Sequence, residues 1–192
     1  MDELSWNDGT WLNEPPAAAR DGADLLMTAA RGSDFWRTTS YGYDRDSGHA
    51  LLAPLGPDAA AEVTFRADFT EQFDQAGLLL RLDERTWIKA GVEYADGLFQ
   101  AGAVVTHDRS DWSTFPVPEW AGRAVTIRAS RTGDAVTVRA RAGDEPWRML
   151  RVAPFPPGVP AAAGPYCCAP ERDGLTVRFT RLAIGPPDES LH

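Results

Sequence analysis

Short runs of alternating apolar and polar residues recur along this chain, separated by clusters of Gly, Pro, Asp and Ser. That period of two marks strands with one buried face, because successive side chains leave opposite sides of the pleat. The clearest runs are Leu25 to Ala30, Ala50 to Leu55, Ala61 to Phe69, Ala76 to Leu82, Trp87 to Tyr94, Leu98 to Thr106, Ala124 to Ser130, Ala135 to Ala142, Trp147 to Val152 and Leu175 to Ile184. Helical periodicity is almost absent. So many strands exceed one sheet, and the expected fold class is all-β: a two-sheet antiparallel β-sandwich.

Two hairpins can be placed by their turns. Asp96-Gly97 tolerates the positive φ of a tight turn, so Trp87 to Tyr94 should pair with Leu98 to Thr106. Arg131-Thr132-Gly133-Asp134 similarly joins Val125, Ile127 and Ala129 to Val136, Val138 and Ala140, leaving Arg128, Thr137, Arg139 and Arg141 on the other face. Pro154, Pro156, Pro157 and Pro160 read as a surface loop, since strand-like sequence resumes at Tyr166. A single domain over residues 1–185 is expected, followed by a flexible, Pro-rich tail over 186–192.

The 192 residues suffice for one core, and no apolar stretch reaches the roughly 18 residues of a membrane span. A net charge of −9 repels phosphate backbones and anionic lipid, so neither nucleic acid nor membrane is an expected partner. The start, Met1-Asp2-Glu3-Leu4-Ser5-Trp6, lacks the basic and apolar regions of a secretion signal, which makes the cytoplasm the expected location. Cys167 and Cys168 are adjacent, where a disulfide would be strained, and are read as reduced. His49, His107 and His192 have no metal-ligand spacing, and Asp44 to Gly48 lacks the closing acid of a calcium loop and reads as a turn. No cofactor or metal motif is expected.

Of the nineteen basic residues all but one are Arg, and the exception is Lys89. Where Arg serves everywhere else, a lone Lys suggests a position that needs a compact ammonium, although chance survival explains it too. Pleating places Ile88, Ala90 and Val92 on a dry face and Trp87, Lys89 and Glu93 on the other, with Gly91 leaving a gap between the charges. In the preceding strand Ala76, Leu78, Leu80 and Leu82 should face inward and Gln75, Gly77 and Arg81 outward, next to Asp74. An aromatic ring beside amide, ammonium, guanidinium and carboxylate groups suits a polyol. The same residues read equally as a solvated ladder of charges on an exposed sheet.

The stretch His107 to Ser113 reads as a polar loop in which Ser110, Asp111 and Trp112 either rim that face or close a turn. The cluster Asp34-Phe35-Trp36-Arg37 with Tyr41 reads as core packing. Glycoside hydrolysis needs two carboxyls roughly 5 to 9.5 Å apart. Glu93 has no acid two residues away, so a partner must come from elsewhere, for instance Asp74 or Asp111.

Five segments carry a resemblance: Trp11-Leu12-Asn13-Glu14-Pro15-Pro16, Asp34-Phe35-Trp36, Phe73-Asp74-Gln75-Ala76-Gly77-Leu78, Trp87-Ile88-Lys89-Ala90-Gly91-Val92-Glu93-Tyr94 and Ser110-Asp111-Trp112-Ser113. Together they resemble the regulation-of-enolase-like family of uncharacterised domains, over nearly the whole chain. The resemblance implies a concanavalin A-like jelly roll with a concave sheet face. It also implies that Asp74, Gln75, Trp87, Lys89, Glu93, Asp111 and Trp112 stand at family motif positions. The expected function is a non-catalytic module binding a carbohydrate or polyol-like metabolite on that face, with Trp87 stacking and Gln75, Lys89 and Glu93 hydrogen-bonding. The alternatives are a protein partner, in a cytoplasmic chain that regulates a metabolic enzyme, and a glycoside-active enzyme.

Overall fold

The computed structural model describes residues 1–191. In chain order the strands are β1 (Asp2–Glu3), β2 (Thr10–Leu12), β3 (Ala17–Asp21), β4 (Asp24–Thr28), β5 (Phe35–Arg37), β6 (Asp44–Asp46), β7 (His49–Leu55), β8 (Ala59–Arg66), β9 (Gln75–Arg81), β10 (Thr86–Ala95), β11 (Leu98–His107), β12 (Arg109–Pro116), β13 (Val125–Thr132), β14 (Ala135–Ala142), β15 (Arg148–Pro154), β16 (Ala161–Cys168) and β17 (Thr176–Gly185). One sheet runs β15-β14-β13-β8-β17-β4-β3 with β1 added along β17, and the other runs β12-β11-β10-β9-β16-β7-β2. The named ladders are antiparallel, and the two sheets form the expected jelly-roll sandwich. Both hairpins fall where their turns placed them, with Ala95 opposite Leu98 and Thr132 opposite Ala135.

Alternation builds the core. In β14, Val136, Val138, Ala140 and Ala142 are buried while the residues between them are half-exposed. Ile88, Ala90 and Val92 of β10 join Ala76, Leu78 and Leu80 of β9, together with Val63, Phe65, Ile127 and Phe179 from the opposite sheet, in one apolar cluster. Both sheets thus bury a single face against each other, as amphipathic strands require.

The other face of the β9–β10–β11 sheet is not bare. The segment from Ala30 to Gly48 crosses it as a flap whose strands β5 and β6 pair only with each other. Phe35 and Trp36 from this flap pack on Leu79, Trp87, Val104, Tyr166 and Cys168, a second apolar cluster outside the main core. Asn13 Nδ2 donates to the carbonyls of Asp46 (2.7 Å) and Gly48 (3.0 Å), and Arg81 grips the Asp46 carboxylate through two bonds of 2.7 Å. The turn expected over Asp44 to Gly48 is therefore in part strand β6, held by these anchors. Cys167 and Cys168 are free and buried.

Residues after Gly185, expected to fray, carry contacts of their own. The Asp188 amide donates to Ser130 Oγ at 2.7 Å, its carboxylate meets Arg128 (2.7 Å) and Arg139, and the Leu191 carbonyl accepts from Arg139 at 2.8 Å. His192 lies outside the described residues.

Gly77, Gly91 and Gly102 face one another across β9, β10 and β11. A Cβ at Gly91 would lie 2.1 Å from the Ala76 carbonyl oxygen, and one at Gly77 would lie 2.0 Å from that of Ala90. The obstructing atoms are backbone and have nowhere to go. Gly91→Ala is expected to cost about 2 kcal/mol or more, read as a lower urea midpoint at unchanged m-value.

Candidate functional site

The flap encloses a pocket against the outer face of the sheet, about 700 Å³ of atom-free space including its solvent-open mouth. Its floor is an ion pair. Lys89 projects from β10 and donates to Asp34 Oδ1 and to Gln75 Oε1, both at 2.8 Å. Gln75, on β9, turns its Nε2 to the same Asp34 oxygen at 3.2 Å, and the Phe35 amide donates to it at 2.8 Å. The Lys89 and Asp34 side chains are only 5% and 12% exposed. Burial opposes the charged form, but the Asp34 charge, with help from neighbouring groups and from its hydrogen bond, prevails and holds the Lys89 pKa above its ordinary value.

Two residues further along β10 beyond Gly91 stands Glu93, opposite Gln75 in register. Its Oε1 accepts the Trp112 indole N–H at 3.0 Å. Burial pushes the carboxyl up to about 7, outweighing the Lys89 charge and the Trp112 bond, which favour ionisation. The walls are aromatic. Trp36, Tyr41, Tyr43, Phe73 and Trp112 line the pocket, with Arg45 lying over the Tyr43 ring, 4.5 Å from its centroid.

Of the nine residues singled out from sequence, Gln75, Lys89, Glu93 and Trp112 line this pocket and five do not. Trp87 has the expected parity, yet it is 1% exposed beneath Phe35, ring centroids 6.0 Å apart, so it supports the flap and cannot stack on a ligand. Asp74 is wholly buried, accepting the amides of Thr70 and Glu71 and pairing with Arg172. Arg81 is spent on Asp46, and Ser110 Oγ accepts the Arg37 amide at 2.9 Å, so both fasten the flap. Asp111 pairs with Arg151 across the sandwich edge at 2.7 Å.

The stretch read as a polar loop is mostly strand β12, entered through Asp108 at φ 61°. Pairing with β11 is what sets Trp112 beside Val104 and over the pocket. Lys89, Glu93 and Arg81 form no charge ladder, because each has a different partner. The reading of residues 34–37 and Tyr41 as core packing holds for Phe35, which is fully buried, and for Trp36, which packs beside it and also lines the pocket. Asp34, Trp36 and Tyr41 belong to the pocket, and an acid flanked by aromatics was the signal available for them.

The fold and this roofed pocket define a jelly-roll β-sandwich with a cavity on one sheet face. The family model described as "Protein of unknown function (DUF1349)" matches residues 11–187, and the chain belongs to that family. It is 35% identical over 191 residues to "Regulation of enolase protein 1" of Saccharomyces cerevisiae, covering 99% of this chain and 95% of that one. A crystal structure of a functionally unknown protein from Saccharomyces cerevisiae superposes with a TM-score of 0.91 at 33% identity, covering 96% of this chain and 100% of the other. Lectin I-B4 from Griffonia simplicifolia shares the fold alone, with a TM-score of 0.56 at 15% identity over 93% of this chain and 94% of the lectin.

Asp34→Asn strands a buried ammonium and is expected to cost about 3 to 5 kcal/mol, most of it recovered in Asp34→Leu/Lys89→Met, as denaturant titration will show. The Glu93 sign is opposite to that of a salt-bridged acid. Between pH 4.5 and about 7 the folded carboxyl keeps a proton that the unfolded chain releases, so its contribution to stability is lost as pH rises through that window. Glu93→Gln should remove this slope and be more stable than the parent above neutrality, measured as urea midpoints across pH.

Proposed function

We propose that the chain is a non-catalytic binding module that holds a small carbohydrate or polyol-like metabolite in the roofed pocket. The observation that carries this reading is a floor of fixed donors and acceptors beneath aromatic walls. Hydroxyl groups need partners of both kinds, and the C–H faces of a polyol need rings. Lys89 spends two of its three N–H bonds within the floor, and among the described residues no hydrogen bond takes the third, which a ligand oxygen can accept. Trp36 and Trp112, rather than Trp87, supply the apolar surfaces.

A second reading rests on the mouth. Tyr41, Tyr43 and Trp112 are 51%, 38% and 40% exposed, an aromatic rim of the kind enriched at protein contacts. With a relative named for regulation of enolase, this rim supports a cytoplasmic regulator that contacts a metabolic enzyme and reports pocket occupancy to it. Purified enolase retained by the immobilised chain, and released by Tyr41→Ala, is the outcome this reading requires.

Calorimetric titration of the full chain against neutral mono- and disaccharides tests the first reading. At least one sugar is expected to bind in the micromolar to millimolar range, with Trp112→Ala and Lys89→Met each weakening it about tenfold. Undiminished binding in both variants removes the pocket as the site.

A further inference from the structure

The charges lining the pocket do not cancel. Two cations line it: Lys89 is paired with Asp34, and Arg45 is laid over the Tyr43 ring; Arg37 and Arg81 lie outside the lining, paired with Asp44 and Asp46. Glu93 and Glu171 also line the cavity, and among the described residues neither has a basic side chain within ion-pair distance. Among the described residues Glu93 has one donor, the Trp112 indole N–H.

Around the Trp112 ring that donates to this carboxyl the aromatic planes are steeply inclined, while Tyr41 and Tyr43 at the mouth stack at 18°. Trp112 meets Trp36 at 90° and Phe73 at 75°, both with centroids 6.4 Å apart, and Trp36 meets Tyr41 at 70° and 5.5 Å. One sugar face stacks on one ring plane or on parallel planes. Walls set at right angles instead turn several electron-rich faces and edges towards one volume, the arrangement that encloses an ammonium group.

We propose, resting on the polyol reading above, that the ligand carries a cationic nitrogen, as an amino sugar or a polyol bearing a substituted ammonium does. The cation sits against the Glu93 carboxylate between the rings of Trp36, Phe73 and Trp112, while the hydroxyls reach Lys89 and Gln75. Such a ligand supplies the positive charge that Glu93 lacks.

Proton linkage follows. The groups acting on Glu93 are Lys89 and Asp96 from its own hairpin, Asp34 from the flap, Trp112 from β12 and Tyr166 from β16, with the neutral Gln75 opposite on β9. Without a ligand, burial holds this carboxyl near 7. An ammonium favours the ionised form, so binding releases a proton near neutrality, and affinity falls as pH drops below the unliganded value.

The test is calorimetry on the full chain with two matched pairs: glucosamine against glucose, and choline against its neutral carbon isostere 3,3-dimethyl-1-butanol. Glucosamine should bind about tenfold more tightly than glucose, choline should bind and its isostere should not, and buffers of different ionisation enthalpy should report proton release. Glu93→Gln should abolish the preference for charge while glucose binding persists. Trp36→Leu, which keeps the carboxylate, should weaken choline about fivefold. Equal affinity for glucose and glucosamine, or a preference that survives Glu93→Gln, overturns the inference and leaves the polyol reading standing. Choline binding with no sugar bound at all does the reverse.

Discussion

Everything distinctive about this sandwich depends on one buried ion pair, Lys89 with Asp34. Two stacked antiparallel sheets need only their inner faces dry, and a flap laid across an outer face must bring its own reason to stay. Here the reason is electrostatic and local. The Asp34 oxygen gathers the Lys89 ammonium, the Gln75 amide and the Phe35 backbone N–H at 2.8, 3.2 and 2.8 Å. A desolvated charge pair gives little net stability against an apolar substitute, but it specifies geometry, because neither member tolerates the loss of the other. It fixes where the flap enters, and so where Trp36 and the two exposed tyrosines stand.

That pair also explains which parts of the molecule the sequence disclosed. Strand parity in β9 and β10 follows from a period of two, and the lone lysine among eighteen arginines marked its own position. Asp34 could not be paired with it, because fifty-five residues and no periodic relation separate the two. Trp87 shows the complementary failure. Parity told which face it leaves from, but whether that face meets water depends on a segment far away in the chain. The loop reading of residues 107–113 failed for a simpler reason: Ser, Asp and Arg are poor strand formers, and edge pairing with β11 overrides their preference.

The flap turns several motif positions into support rather than contact. Arg81 holds Asp46, Ser110 holds the Arg37 amide, Asn13 holds two flap carbonyls, and Trp87 underlies Phe35. These residues come from β9, β12, the approach to β3 and β10, so the roof is fastened around its margin. A pocket built in this way is preorganised: its polar floor is already hydrogen-bonded, and a ligand need not order it.

The same commitment argues against Asp34 as the second carboxyl of a glycosidase. A glycosidase works with one carboxyl holding a proton and another free to act as nucleophile or base. Glu93, pushed up to about 7, fits the first part. The other carboxyls lining the cavity are Asp34 and Glu171 rather than the Asp74 or Asp111 that sequence suggested, since those two are tied to Arg172 and Arg151. Three donors converge on a single Asp34 oxygen and hold its orientation for the flap. Carboxylates held in this way recognise and position. Attack by Asp34 on an anomeric carbon would require breaking the contact that holds the flap in place.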